Sequence, residues 1–191
     1  MGSSRREFLK AGGLTLAGIA FAPTRQLRSA AALEVIEMRS DALGSRVWFD
    51  PVGLHVAPGT TVRWIVRENV HTTTAYHPRN DHHSLRIPEN AAPWDSGFLV
   101  RPGAHFDVKL TVPGVYDYYC APHEAAGMVG RIIVGNPLGP GGKPFDYWVG
   151  KPGTRDWLSV PDAARAVFPT VQRIIAERRV RPSTKRRQDE N

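Results

Sequence analysis

Residues 115–134 read VYDYYCAPHEAAGMVGRIIV and carry the strongest structural signal in the chain. Two runs of β-branched and aromatic residues, 115–119 and 129–134, are typical of short strands. Between them lies a short segment in which Pro122 restricts the backbone and Gly127 relaxes it. We therefore expect two consecutive strands joined by a tight loop that is able to bring its side chains together.

The same pattern of short strands extends outward over residues 33–134. Residues 61–66 and 106–112 alternate polar and apolar side chains, as strands with one buried face do. Pro-Gly pairs at 58–59, 102–103 and 113–114 mark turns between the runs. The remaining predicted strands are 35–38, 46–49, 54–56 and 71–76. Seven or eight short antiparallel strands within roughly 100 residues predict an all-β sandwich of two sheets.

Two segments depart from the β pattern. Residues 77–97 are rich in Pro and Asn, which predicts a long loop lying over the sandwich, and loops of this length are usually functional or mobile. Residues 136–191 are expected to form a linker, a short helical extension and a basic tail. Within that extension two helical pieces, 163–168 and 171–179, are predicted on either side of Pro169, with Ser159 as a possible N-cap.

The formal charge of +7 belongs to the two ends of the chain. Residues 1–32 and 173–191 each carry a net charge of +4, so residues 33–172 carry a net charge of −1. Because the net charge of residues 33–172 is close to zero, the high overall charge is poor evidence for nucleic-acid binding, and no nucleic-acid partner is expected. The basic tail is most simply a solvated segment.

The N-terminus carries signs of a targeting segment. Residues 4–10 read SRREFLK, which resembles the twin-arginine export motif, and a Gly- and Ala-rich apolar run follows at 11–22. This run is too short and too weakly apolar to span a bilayer well, and the small residues 29–32 suit a cleavage region. We expect residues 1–32 to be a signal peptide, residues 33–135 to form the folded domain, and the mature protein to be periplasmic or otherwise exported, with no membrane span.

The loop between the two strands carries the chemistry. Cys120 is the only cysteine of the chain, and His123 and Met128 lie within nine residues of it. Thiolate and thioether are soft ligands that suit copper, and a His₂Cys set with a weak axial Met is the usual electron-transfer copper centre. The second imidazole must come from elsewhere. His71, at the end of a predicted strand, is the best candidate, with five other histidines as alternatives: His55, His77, His82, His83 and His105.

Several spaced motifs together resemble the cupredoxin family, and more narrowly its plastocyanin- and pseudoazurin-type blue copper proteins. They comprise Thr61-Val62-x-Trp64, His71-Thr72-x-Thr74-Ala75, Trp94-Asp95-Ser96-Gly97-Phe98, and Pro113-Gly114-x-Tyr116-x-Tyr118-Tyr119-Cys120 through Gly130. The resemblance implies a Greek-key β-sandwich that holds one type 1 copper ion through His71, Cys120, His123 and Met128. It also implies a one-electron carrier, and redox partners that dock on an apolar surface around His123. Candidates for that surface are Ala121, Pro122, Ala125, Ala126 and Val129.

Some features leave other functions open. Many family members have Asn after the first histidine, where this chain has Thr72, whose hydroxyl can still hydrogen-bond near the metal. A copper-dependent redox enzyme would need a second metal site, for which His77, His82 and His83 are the candidates. A copper storage or delivery protein is a third possibility. Glu124, beside His123, is expected to face solvent.

Overall fold

The computed structural model describes residues 32–183, so the export motif and residues 29–31 of the proposed cleavage region lie outside the described residues. Within this range nine strands form two sheets, which confirms the predicted β-sandwich. One sheet has the strand order β2-β1-β4-β6 and the other has the order β5-β7-β8-β3-β9. The strands are β1 (Leu33–Ser40), β2 (Val47–Asp50), β3 (Gly53–Val56), β4 (Thr60–Val66), β5 (Thr74–Ala75), β6 (His105–Leu110), β7 (Gly114–Tyr119), β8 (Val129–Val134) and β9 (Arg179–Val180).

The two sheets are not simple meanders, because each contains one pair of parallel strands. Strand β1 pairs in parallel with β4, and β3 pairs in parallel with β8. The other pairs are antiparallel, including β7 with β8, which the 115–134 stretch predicted. The predicted strand at 71–76 shortens to β5, and His71 instead forms an isolated bridge with Leu99.

Aromatic rings fill the space between the sheets. The ring of Trp64 lies 5.4 Å from that of Trp94 and 5.2 Å from that of Tyr118, measured between centroids. Phe49 meets the other side of Tyr118 at 4.8 Å, edge to face. Such pairs add about 0.5–1.5 kcal/mol each beyond the burial of their area. This core lies directly beneath the loop that follows β7, because Cys120 and Met128 belong to the same buried cluster.

The 77–97 loop is packed against the sandwich. Its middle is buried, including the side chains of Leu85, Arg86 and Ile87. The guanidinium of Arg86 donates to Asp117 of β7 at 2.7 Å, and Arg131 of β8 donates to the other carboxylate oxygen at 2.7 Å. The predicted loop therefore lies against the sandwich, and a buried ion network holds it there.

The chain after β8 also packs on the sandwich. It contains a 3₁₀ turn (Pro140–Gly142), α1 (Asp162–Arg165), α2 (Val171–Glu177) and then β9, which extends the second sheet. The two helical pieces are shorter than predicted. The hydroxyl of Thr170 caps α2, whereas Pro161 and not Ser159 occupies the N-cap position of α1. No helix within residues 32–183 is long and apolar enough to cross a membrane.

Candidate metal centre

The loop after β7 is a short 3₁₀ helix, Ala121–Ala126, with Pro122 in its first turn. It ends at Gly127, whose φ of 83° lies in the left-handed region that favours glycine. A Cβ at this position would also lie 3.2 Å from the carbonyl oxygen of Ala163 on α1. The helix therefore has a defined start and end, and it returns the chain to β8 within a few residues.

Backbone hydrogen bonds close this loop on itself. The amide of Cys120 donates to the carbonyl of Met128 at 3.0 Å, and the amide of Met128 donates to the carbonyl of His123 at 3.1 Å. Cys120 and Met128 are both fully buried, and His123 is half-buried. Three of the four predicted site residues are thus held in one compact unit.

His71 reaches the same place from another part of the chain. Its amide and carbonyl both pair with Leu99, at 3.2 and 2.8 Å, which fixes the backbone at this point. Its Nδ1 lies 3.7 Å from the Sγ of Cys120, and the Nδ1 of His123 lies 3.3 Å from the same sulfur. One donor atom from each of these residues lies within 4.8 Å of the other two.

Thr72 connects the two halves of the site. Its amide donates to the Sγ of Cys120 at 3.3 Å, and its hydroxyl accepts from the amide of Ala121 at 2.7 Å. That hydroxyl also lies 3.2 Å from the hydroxyl of Thr74, which in turn donates to Asp95 at 3.0 Å. Because the Thr74 proton goes to Asp95, the Thr72 hydroxyl donates to Thr74. Thr72 therefore does fasten the ligand loop through its side chain.

Burial controls the protonation of the cluster. Burial and the nearby His123 lower the pKa of His71 to about 4. Burial also lowers the pKa of His123 and raises the pKa of Cys120 to about 11. Both imidazoles are therefore neutral at pH 7 and able to donate to a metal. The thiol must lose its proton when a metal binds, since the thiolate is the ligand.

The donors present fit copper. The cluster of His71, Cys120 and His123 contains no carboxylate, which argues against the hard cations Mg²⁺ and Ca²⁺. Buried Met128, on the same loop, adds a thioether, a donor that structural zinc sites do not use. Two imidazoles, one thiolate and one thioether form the ligand set of a type 1 copper site.

The family profile described as "Copper binding proteins, plastocyanin/azurin family" matches residues 36–135. The chain belongs to this family. The cofactor is therefore copper, and His71, Cys120, His123 and Met128 are arranged as a type 1 site. The match begins within β1, ends just after β8, and excludes α1, α2 and β9.

Individual relatives agree with this membership. A chloroplastic plastocyanin of Chlamydomonas reinhardtii is 33% identical over 130 residues, which are 63% of this chain and 79% of that protein. A putative pseudoazurin of Rhizobium leguminosarum bv. viciae is 28% identical over 123 residues, 62% of this chain and 74% of that one. The solved structure of a Sinorhizobium pseudoazurin covers 76% of this chain and 95% of its own, with 26% identity and a TM-score of 0.51.

The histidines of the 77–97 loop do not form a second cluster. His77 accepts a hydrogen bond from the amide of Arg79, and His82 is exposed. His83 is buried and binds Glu124. Among residues 32–183, the cluster around Cys120 is the single group of three or more His, Cys, Asp or Glu donors suited to a metal.

The structure corrects two expectations about the ligand loop. Val129 is only 1% exposed, so it cannot belong to a surface patch. The side chain of Glu124 does not face solvent, because Tyr76 and His83 both hydrogen-bond to it. The sequence offered no signal for these contacts, since Tyr76 and His83 lie more than 40 positions away from Glu124.

Acid is expected to destabilise the copper-free protein through His71. Its pKa is about 4 in the folded chain and 6.5 ordinarily, so the unfolded chain takes up the proton first. The stability that depends on neutral His71 is present above pH 6.5 and is lost as the pH falls towards 4. Between pH 7 and pH 5 this residue should lower the free energy of unfolding by about 2 kcal/mol. Urea unfolding at both pH values measures the change.

The matched control is His71→Gln in the copper-free protein. The pKa of His83 is raised, so His83 contributes in the opposite sense, adding stability at low pH that is lost as the pH rises through its folded pKa. His83 and His123 are common to both proteins, and the difference between them isolates His71. An identical loss of stability in the wild type and in His71→Gln would show that protonation of His71 is not the cause of the acid destabilisation.

Proposed function

We propose that this chain is a one-electron carrier whose copper ion is held by His71, Cys120, His123 and Met128. The observation that supports this most directly is the buried cluster in which two imidazole nitrogens and one thiol sulfur lie within 4.8 Å of one another. Copper, when bound, supplies a centre that gains and loses single electrons. A carrier of this family needs no substrate site and no turnover of its own.

Each residue has a distinct task in this proposal. Cys120 supplies the thiolate, and the amide of Thr72 donates to its sulfur. His71 is fixed by its two backbone bonds to Leu99. Met128, at the end of the loop, would supply the thioether. Because these groups are attached to a packed sandwich, the ligand geometry changes little when the charge of the centre changes, which favours fast electron transfer.

We expect electrons to enter and leave the copper site through His123. It is half-buried, whereas Cys120, His71 and Met128 are buried. Apolar side chains are exposed beside it on its own helix, at Ala121, Pro122, Ala125 and Ala126. Phe98 and Val100, which are 66% and 58% exposed, flank Leu99, the partner of His71. The rings of His71 and His123 lie 5.1 Å apart, so the backbone of Leu99 is close to the metal cluster, and we expect Phe98 and Val100 to extend the apolar surface on which redox partners would dock.

Copper loading tests the function. The expected result is one copper ion per chain, an intense thiolate-to-copper absorption band, a reversible one-electron wave, and no catalytic turnover. The ratio of copper to protein, the optical and EPR spectra, and voltammetry measure these four properties. A ratio of two copper ions per chain, or turnover of a substrate, would overturn the proposal of a simple carrier.

The same preparation tests the docking surface. Phe98→Glu should slow electron self-exchange between copies of the protein about tenfold, because a charge is placed on each apolar face that must meet another. Copper content and the EPR spectrum should not change. Leu138→Glu is the matched control, since Leu138 is 62% exposed and its carbonyl lies beside Gly114, at the end of β7 remote from Cys120. Equal rates in the two variants would place the electron-exchange surface elsewhere.

We propose further that the protein is exported by the twin-arginine route, with a signal at residues 1–32, a cupredoxin domain at 33–135 and an extension at 136–191. The Arg5-Arg6 motif and the apolar run after it support the signal. The export route carries folded proteins, which suits a protein that can receive its metal beforehand. Mass spectrometry of the exported protein should find an N-terminus near residue 33, and a retained N-terminus would contradict the signal.

A further inference from the structure

Glu124 is held by two side chains from outside the ligand loop. The hydroxyl of Tyr76 donates to one carboxylate oxygen at 2.6 Å, and the Nε2 of His83 lies 3.0 Å from the other. The side chains of Glu124 and His83 are only 13% and 8% exposed. A charge-assisted pair that is screened so little by water is stronger than an exposed one.

The partners of His83 define the character of this contact. Its Nε2 faces the carboxylate of Glu124, and its Nδ1 lies 3.1 Å from the carbonyl of Asn80. The hydroxyl of Tyr119 also lies 3.4 Å from Nδ1, and the Nε2 carries the proton that is donated to the carboxylate. The ring also stacks on Tyr119 at 4.5 Å with an interplanar angle of 24°. Apart from Glu124, His83 is therefore fixed by two residues, Asn80 and Tyr119.

Glu124 transmits this anchoring to the ligand loop. It follows His123 in the 3₁₀ helix, and its carbonyl accepts the amide of Gly127 at 2.9 Å. On the other side of His123, the hydroxyl of Thr72 holds the amide of Ala121 at 2.7 Å. The helix is thus fastened on both sides of the half-buried ligand, by Thr72 on one side and by Tyr76 and His83 on the other, and all three of these residues are buried.

We propose that Tyr76, His83 and Glu124 form a clamp that positions the helix bearing His123 against Cys120 and His71. The inference rests on the proposed function, because it assigns the clamp a purpose at the copper site. These are positioning residues, and none of them touches the metal. Without the clamp the helix can move away from His71, so that the site holds copper less firmly and its geometry differs between the two oxidation states.

The clamp can be removed or kept by single substitutions. Glu124→Ala removes both contacts, whereas Glu124→Gln can keep both: its carbonyl accepts from Tyr76, and its amide donates to the Nε2 of a neutral His83. Tyr76→Phe removes one contact and keeps the ring. Asp107→Ala is the control, because it breaks an exposed 2.7 Å ion pair with Arg63 in the other sheet.

Amide hydrogen exchange in the copper-free protein tests the clamp without depending on the metal. In Glu124→Ala, the amides of Gly127 and Met128 should exchange at least tenfold faster than in the wild type, with a smaller increase in Tyr76→Phe. Glu124→Gln and Asp107→Ala should stay within about twofold of the wild type. If Glu124→Ala does not fold, the exchange rates of the same two amides are compared between Tyr76→Phe and Asp107→Ala. Faster exchange in Tyr76→Phe alone would support the clamp, and equal exchange would overturn it.

In the copper-loaded protein, Glu124→Ala should release copper to a chelator at least tenfold faster and shift the reduction potential, and Glu124→Gln should restore both. A purely structural role would lower stability and leave the potential unchanged. Wild-type exchange and copper release in Glu124→Ala, or failure of Glu124→Gln to restore them, would overturn the clamp. Failure of the wild type to give a reversible copper couple would refute the proposed function, while the exchange data would still test the clamp.

Discussion

The Cys120→Ser protein is expected to lose its intense blue absorption completely. The band requires a thiolate bonded to copper, and Cys120 is the only cysteine of the chain. A serine hydroxyl at this position faces the same two imidazoles but is a harder donor and far less acidic. Copper affinity should fall more than about 100-fold, beyond the 10–100-fold typical of losing a residue that only supports a ligand. Optical titration with copper measures both effects.

Met128→Leu is the matched control for this change. It removes the other sulfur of the loop, keeps the volume of a buried side chain, and should leave the protein blue. Its reduction potential should rise, because the weak axial thioether stabilises Cu(II). A Cys120→Ser protein that stayed blue would refute the ligand assignment, and an unchanged potential in Met128→Leu would remove Met128 from the axial position.

The second large effect is expected at Asp117, which is fully buried between Arg86 and Arg131. Asp117→Asn keeps the shape of the side chain but leaves two buried guanidinium groups without their counter-ion. Breaking a buried ion pair from one side costs about 3–5 kcal/mol, so we expect a loss of this size in the free energy of unfolding. Urea unfolding of the copper-free variant measures it.

The substitution at Asp117 should weaken more than the two ion pairs of this carboxylate. Arg86 also donates to the carbonyl of Gly141 at 2.7 Å, and Arg131 donates to that of Pro169 at 3.0 Å. The same network therefore holds the 77–97 loop and the extension on the sandwich. Asp107→Asn, in the exposed pair with Arg63, should cost less than about 1 kcal/mol. Equal losses in the two variants would show that the buried network contributes no special stability.

The strands and the ligand loop could be predicted because their signals are local. Alternating side chains predicted β4 and β6, and turn residues predicted where several strands begin. Cys120, His123 and Met128 lie in one connection between paired strands, so their proximity follows from chain length alone. His71 required the resemblance to cupredoxins, because other histidines could have supplied the second imidazole.

The missed features depend on partners that are distant in sequence. Strand β9 is two residues long and exists because Arg179 and Val180 pair with β3. The 77–97 loop was expected to be functional or mobile because of its length, and nothing in its composition indicated that Arg86 is buried against Asp117. Glu124 was assigned to solvent for a similar reason, since a lone carboxylate in a loop is usually exposed.

The sequence by itself determined the donor set, because copper chemistry depends on the identity of four side chains and on the short spacing of three of them. The tertiary structure decided how that set is held. Hydrogen bonds between the loop and Thr72, Tyr76 and His83 fasten it, and these contacts form only when segments far apart in the chain pack together. The chemical type of each ligand is set by the residue at its own position in the sequence. The positions of the ligands in space depend on contacts between distant residues, which no local sequence pattern encodes.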